Sequence, residues 1–190
     1  MRRLSTRVGH APFAPSIWFT TALMLDVFER LGLPTKLTSI EPFPERLPGL
    51  LRPDDGGRVQ IIERRVQDVP VSVFDELEEN DFLFIDSSHV AKAGSDVAEI
   101  FLRILPRLPR GVIVHFHDVF YPHVYPEAWL REGCAWNEGL FLRVFLQFNR
   151  AFQVILFNPF LAIQARERLA AELPQFLEDT GGSIYLRRVD

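Results

Sequence analysis

Two stretches decide how this chain folds: Phe82-Leu83-Phe84-Ile85-Asp86-Ser87-Ser88-His89 and Gly111-Val112-Ile113-Val114-His115-Phe116-His117-Asp118. Each begins as a continuous apolar run and ends on carboxyl and imidazole groups. Apolar runs without alternation suit strands covered on both faces, as in a parallel sheet. Working outward, similar short runs lie at Lys36–Ile40, Val59–Glu63, Phe152–Phe157 and Ser183–Arg187, so the two central strands are read as Asp81–Ile85 and Gly111–Phe116. Helical spacing lies between them. Trp18–Leu31 carries Leu23, Val27 and Leu31 before the stop signals Gly32 and Pro34. Ser95–Leu105 repeats Val97, Ile100, Phe101, Ile104 and Leu105 and is closed by Pro106, and Glu138–Phe148 places Leu142, Phe145 and Leu146 on one face. Between the last two strands, Ile163–Glu172 reads as a helix. Alternating strands and helices predict an α/β fold, a mostly parallel sheet with helices on both faces.

In such sheets ligands bind beyond the carboxyl ends of the strands. Glu41 follows the strand Lys36–Ile40, where an acid can accept both hydroxyls of a ribose; the alternative is an ordinary strand-terminal Glu before Pro42. Asp86 and His89 follow one central strand, and His117 and Asp118 follow the next. Strand alternation puts His115 and His117 on one side of the backbone. Asp86, His117 and Asp118 form a candidate ligand set for a divalent cation, Mg²⁺ or Mn²⁺. Either His89 or His117 also suits proton abstraction. A single His in such a place is often a strand cap, but two Asp/His clusters at successive strand ends favour a site. Asp86 and Asp118 are expected to face one cleft.

Phe84-Ile85-Asp86-Ser87-Ser88-His89, Ser95-Asp96 on the next helix and the Gly111…His117-Asp118 strand end together resemble the class I S-adenosylmethionine-dependent methyltransferases, in particular the group of macrocin O-methyltransferase and cephalosporin hydroxylase. Ser39-Ile40-Glu41-Pro42 and Val66-Gln67-Asp68-Val69 fit the same frame, which runs from about Thr35 to Leu161. The resemblance implies a Rossmann-like sandwich and S-adenosylmethionine as cofactor. It implies Glu41 at the ribose, Gln67 or Asp68 at the adenine and Asp86 beside the methionine end or a metal. His117, His89 and Asp118 are then the candidate catalytic residues. The implied reaction is methyl transfer to an oxygen or nitrogen of a small or glycosylated acceptor. The alternative is a degenerate domain that binds a partner without catalysis.

One element of the frame is missing from the sequence. The family opens with a strand and a Gly-x-Gly turn whose glycines allow close backbone approach to the cofactor. Here the chain reads Met1-Arg2-Arg3-Leu4-Ser5-Thr6-Arg7, with Ser5-Thr6 resembling the residues after those glycines. The expectation is therefore an absent first strand, in a single domain of residues 1–190 truncated at its start relative to the family. Tyr121–Glu138, with Tyr121, Tyr125, Trp129 and Trp136, either walls an acceptor pocket or packs as a satellite cluster.

Composition narrows the classes. With 21 Lys and Arg against 25 Asp and Glu in 190 residues, the net charge is −4. No basic face is clustered for nucleic acid. The one cysteine, Cys134, excludes an intrachain disulfide and fits the reducing cytoplasm. No apolar run approaches the roughly 18 residues of a membrane span. Pro12 and Pro15 interrupt any secretory signal after Arg2, Arg3 and Arg7. The expected partners are a small-molecule acceptor and a second copy of the chain in a homo-oligomer, with neither nucleic acid nor membrane.

Overall fold

The computed structural model describes residues 3–9, 16–45, 47 and 49–190, with side chains from residue 19 on. Seven strands form one sheet: β1 (Arg3–Gly9), β2 (Lys36–Ile40), β3 (Val59–Ile62), β4 (Phe82–Asp86), β5 (Ile113–His117), β6 (Phe152–Phe157) and β7 (Ser183–Arg188). Their order is β3-β2-β1-β4-β5-β7-β6. β1 to β5 pair in parallel, and β7 lies antiparallel between β5 and β6. The helices are α1 (Ser16–Arg30), α2 (Asp96–Glu99), α3 (Glu127–Arg131), α4 (Glu138–Phe148), α5 (Asn158–Gln164), α6 (Arg166–Glu172) and α7 (Gln175–Glu178). The α/β fold with a mostly parallel sheet is thus the observed one.

The expectation of an absent first strand is wrong. Arg3–Gly9 is that strand, hydrogen-bonded to β2 on one side and β4 on the other. Its polar sequence gives no strand signal. Two flanking strands satisfy its backbone on both edges, and that pairing outweighs weak propensity. Thr6 is skipped in both registers, a bulge that accommodates the irregular sequence. The turn after Gly9, where the expectation of a lost glycine motif falls, lies outside the described residues.

Both faces of the sheet are covered. Leu37 and Ile40 lie three residues apart on β2 and so point to opposite faces. Leu37 packs with Leu25 and Phe28 of α1, while Ile40 joins the larger core with Val97, Ile100, Ile104 and Leu142. α1 forms where its spacing predicts, but Leu23, Val27 and Leu31 point outward, Leu23 being 62% exposed. The buried stripe is Thr21, Leu25 and Phe28. Two apolar stripes share this helix, and spacing alone does not choose between them. The helix after Ser95 begins as expected, with Ser95 Oγ accepting the Ala98 N–H at 3.1 Å. It then widens into a π turn over Ile100–Ile104 and tightens at Leu105–Arg107. Pro106 has no N–H to return to the preceding turn, so regular α-helical bonding cannot continue there.

Gly111, at φ +88, makes the tight entry into β5; a side chain there would run into Glu79. Further along β5, His115 and His117 do share one side, with ring centroids 6.2 Å apart. His115 is buried, stacked on Tyr185 at 4.3 Å and edge-on to Phe84 at 4.7 Å. Its Nε2 meets no hydrogen-bond partner among the described residues. Burial, aided by the charge of His117, pushes its pKa down from 6.5 to about 3. Between those values the unfolded chain binds a proton that the native chain refuses, so stability falls as pH drops below 6.5. At pH 5 this costs about 2 kcal/mol. His115→Phe should remove that loss: urea denaturation at pH 7 and pH 5 should show the variant gaining on the wild type by about that amount at the lower pH.

Candidate active site

The lateral register of the parallel strands lines up the candidate residues. Val8 of β1 pairs with Ile40 of β2 and with Ile85 of β4, and Ile85 pairs with Phe116 of β5. One residue further on, Glu41, Gly9, Asp86 and His117 therefore share a level at the carboxyl edge. The chain winds outward from β1 to β2 and β3, then back across to β4 and β5. The level thus straddles the point where strand order reverses, the place where open α/β sheets bind ligands.

Glu41 is buried, and its Oε1 accepts the Phe43 N–H at 3.1 Å. Gln67 donates from Nε2 to the Gly94 carbonyl at 3.1 Å. Asp68 is exposed and held by both nitrogens of the Arg65 fork at 2.7 and 3.0 Å. The hydrogen bond from Arg65 lowers the Asp68 pKa, more than its small desolvation raises it.

At the ends of β4 and β5 the structure brings Asp86, His89, His117 and Asp118 together. His89 Nε2 lies 3.7 Å from Asp86 Oδ1 and 4.0 Å from Asp118 Oδ2. These are ion-pair separations, too long for hydrogen bonds. His117 Nε2 lies 3.5 Å from Asp118 Oδ1. His89 is only 3% exposed, whereas the side chains of His117 and Asp118 are 31% and 22% exposed. The latter two face solvent and His89 sits behind them. Burial lifts the Asp118 carboxyl above its ordinary value; His117 and His89 pull it back, and Asp86 adds to the rise. Burial lowers His89, but the hydrogen bond and charge of Glu138, with Asp86 and Asp118, outweigh it and the net direction is upward.

The expected cation site of Asp86, His117 and Asp118 is not assembled. Among the described residues no group of three His, Cys, Asp or Glu side chains converges as metal ligands. The physical reason is His89, whose ring edge faces both carboxylates.

Sequence reasoning missed the residues that hold this ring. Glu138, fully buried at the start of α4, accepts from Ser87 Oγ at 2.8 Å and pairs with His89 Nδ1 at 2.9 Å. An acid in the first helical turn is normally a solvated partner of the helix dipole, and nothing local to Trp136-Asn137-Glu138 signals a contact 49 residues away. His89 and Asp118 both take left-handed backbone angles, φ 58 and φ 53, which non-glycine residues adopt only when their surroundings enforce them. Here the enforcing contacts are visible. The His89 N–H donates to Ser87 Oγ at 3.0 Å, and its carbonyl accepts from the backbone of Asn137 and Glu138 at 2.9 and 3.1 Å. The Asp96 carboxylate takes the Ser88 N–H at 2.6 Å and its hydroxyl at 2.5 Å. Around this turn the aromatics of the long loop pack on one another: Trp136 lies 5.2 Å from Trp129 and 5.5 Å from Tyr125. Trp136 also covers the His89 ring at 4.3 Å.

A family model described as a methyltransferase domain matches residues 19–119, more than half of the chain. The chain belongs to that family. No curated protein matches it. Among solved structures, a DUF574 family protein from Streptomyces avermitilis is 12% identical with a TM-score of 0.54, covering 99% of this chain and 76% of that one, and shares the fold. A precorrin-6Y C5,15-methyltransferase from Geobacter metallireducens matches at 12% identity and TM-score 0.42, covering 81% and 68%. A chain of a fibrillarin/Nop5p complex matches at 12% and 0.48, covering 99% and 72%. No helix among the described residues is long and apolar enough to cross a membrane.

The turn after β4 depends on Asp96 for its hydrogen bonds. Asp96→Ala should leave the Ser88 N–H without its acceptor and cost roughly 1–3 kcal/mol. Urea denaturation of the variant beside the wild type measures this loss.

Proposed function

We propose that this domain transfers a methyl group from S-adenosylmethionine to an oxygen or nitrogen of a small or glycosylated acceptor, as the resemblance to the macrocin O-methyltransferase group implies. The observation that carries the reading is the shared level of Glu41, Gly9, Asp86 and His117 across the point of strand reversal. The donor chemistry fits a nucleoside cofactor. Glu41 is a buried carboxylate at the end of β2, suited to accept the two ribose hydroxyls, and Gln67 with Asp68 borders the adenine side. Asp86, at the end of β4, lies where a cationic amino-acid end is attracted.

Bound there, the cofactor supplies a sulfonium-activated methyl group that needs little further electrophilic help. The chain's own residues then align the acceptor and remove its proton. Asp118 and His117 are partly exposed at the end of β5 and are the groups able to take that proton. The rise of Asp118 brings its basicity nearer to the working pH. His89 acts from behind them, since its ring is covered. No step runs through a metal ion, because the residues present do not converge on one.

One observation favours the second reading, a partner-binding domain without catalysis: after Gly9 the sequence continues His10-Ala11-Pro12-Phe13-Ala14-Pro15 and offers no second glycine for close cofactor approach. Calorimetric titration with S-adenosylhomocysteine separates the two. The wild type should bind, and Glu41→Ala should lose roughly 1.5–3 kcal/mol, about tenfold to a hundredfold in affinity. The variant should remain folded by circular dichroism at the titration temperature, although loss of the acceptor for the Phe43 N–H lowers its melting temperature. Equal affinities would remove Glu41 from the ribose site. A wild type that does not bind favours the partner-binding reading.

A further inference from the structure

Glu138 has a place in the fold that packing alone does not call for. A buried carboxylate is costly unless both oxygens are satisfied, and an apolar side chain of similar size often serves stability as well or better. Here both oxygens are engaged on a single turn, Oε1 by Ser87 and Oε2 by His89 Nδ1. The same residue also donates its backbone N–H to the His89 carbonyl at 3.1 Å. Ser87 closes the ring of contacts by accepting the His89 N–H with the hydroxyl it donates to Glu138. His89 is therefore held at its backbone and at one ring nitrogen, while Trp136 fixes its plane from the side.

The consequence lies at the other nitrogen. A carboxylate can only accept at Nδ1, so the neutral ring carries its proton there and the second proton is gained or lost at Nε2. Nε2 is the atom nearest the Asp86 and Asp118 carboxylates. We infer that Glu138 is a positioning residue: by fixing the orientation and tautomer of His89 it points Nε2 at Asp86 and Asp118 and sets those two carboxylates against each other where the acceptor proton is removed. This rests on reading the cleft as a methyl-transfer site; Glu138 itself does not reach the cleft. The logic is that of a triad in which a buried acid orients an imidazole, except that here the imidazole orients carboxylates.

Nitrogen NMR of the full chain with labelled histidine tests this, with His89→Gln identifying the signals of His89. In the wild type, the proton lost as pH rises should leave Nε2 and the one retained should sit on Nδ1. Glu138→Gln should lower the His89 pKa, because burial then goes unopposed by the hydrogen bond and charge of Glu138. Ser87→Ala, which leaves Nδ1 paired, should keep the wild-type tautomer. A mainly structural tie between α4 and the β4 turn would move the melting temperature without selecting the tautomer. A wild-type ring protonated on Nε2 when neutral would overturn the inference, and so would an unchanged pKa in a folded Glu138→Gln. Should that variant fail to fold, the wild-type tautomer decides alone. Absence of S-adenosylhomocysteine binding by the wild type would remove the methyl-transfer reading while leaving the tautomer result standing, so the two failures are distinct.

Discussion

The lateral hydrogen bonding of β1 to its neighbours governs the rest of this structure. Parallel strands pair in a fixed register, so the level at which one strand ends fixes what stands beside it. Because Val8 is opposite both Ile40 and Ile85, the polar residues after three separate apolar runs come to one edge. Shifting β1 by one residue would move each of its side chains to the other face and separate the level on β2 from that on β4. A strand with only two large apolar residues, Leu4 and Val8, is thus the one that joins the two halves of the sheet.

On that edge, charge is handled by pairing rather than by solvent. Glu138, Asp86 and Asp118 would repel one another in a low-dielectric setting, and the imidazole between them offsets that repulsion. The same arrangement explains why two left-handed non-glycine residues persist there. Ser87, Asn137 and Glu138 hold the His89 backbone, and Asp96 braces the preceding residue from α2. The strain is local, and contacts from α2 and from the start of α4 sustain it.

The aromatic loop after β5 packs as a satellite cluster, one of the two uses that its composition allowed. Tyr125, Trp129 and Trp136 pack on one another as a satellite cluster, and through Trp136 that cluster roofs His89. Tyr125 also accepts the Gly139 N–H through its hydroxyl at 3.2 Å, tying the loop to the start of α4. Packing and site architecture are here one set of contacts, which is why His89 is covered while His117 and Asp118 stay open.

By itself the sequence determined the elements whose signal is local. Unbroken apolar runs fixed β4 and β5, the polar residues after them marked the carboxyl edge that carries the candidate site, and the apolar spacing of Ser95–Leu105 marked residues that are buried. Glu41, Asp86, His117 and Asp118 were legible as candidates because strand ends are where such sheets bind, and the rule needs only the order of runs along the chain. Tertiary structure alone decided β1, because Arg3–Gly9 is a strand only when β2 and β4 satisfy both its edges. It also decided which stripe of α1 is buried, since two apolar stripes compete and the sheet selects one. Glu138 belongs with these. An acid at a helix start reads as solvated until a strand end from far along the chain is packed against it, and no local pattern encodes that contact.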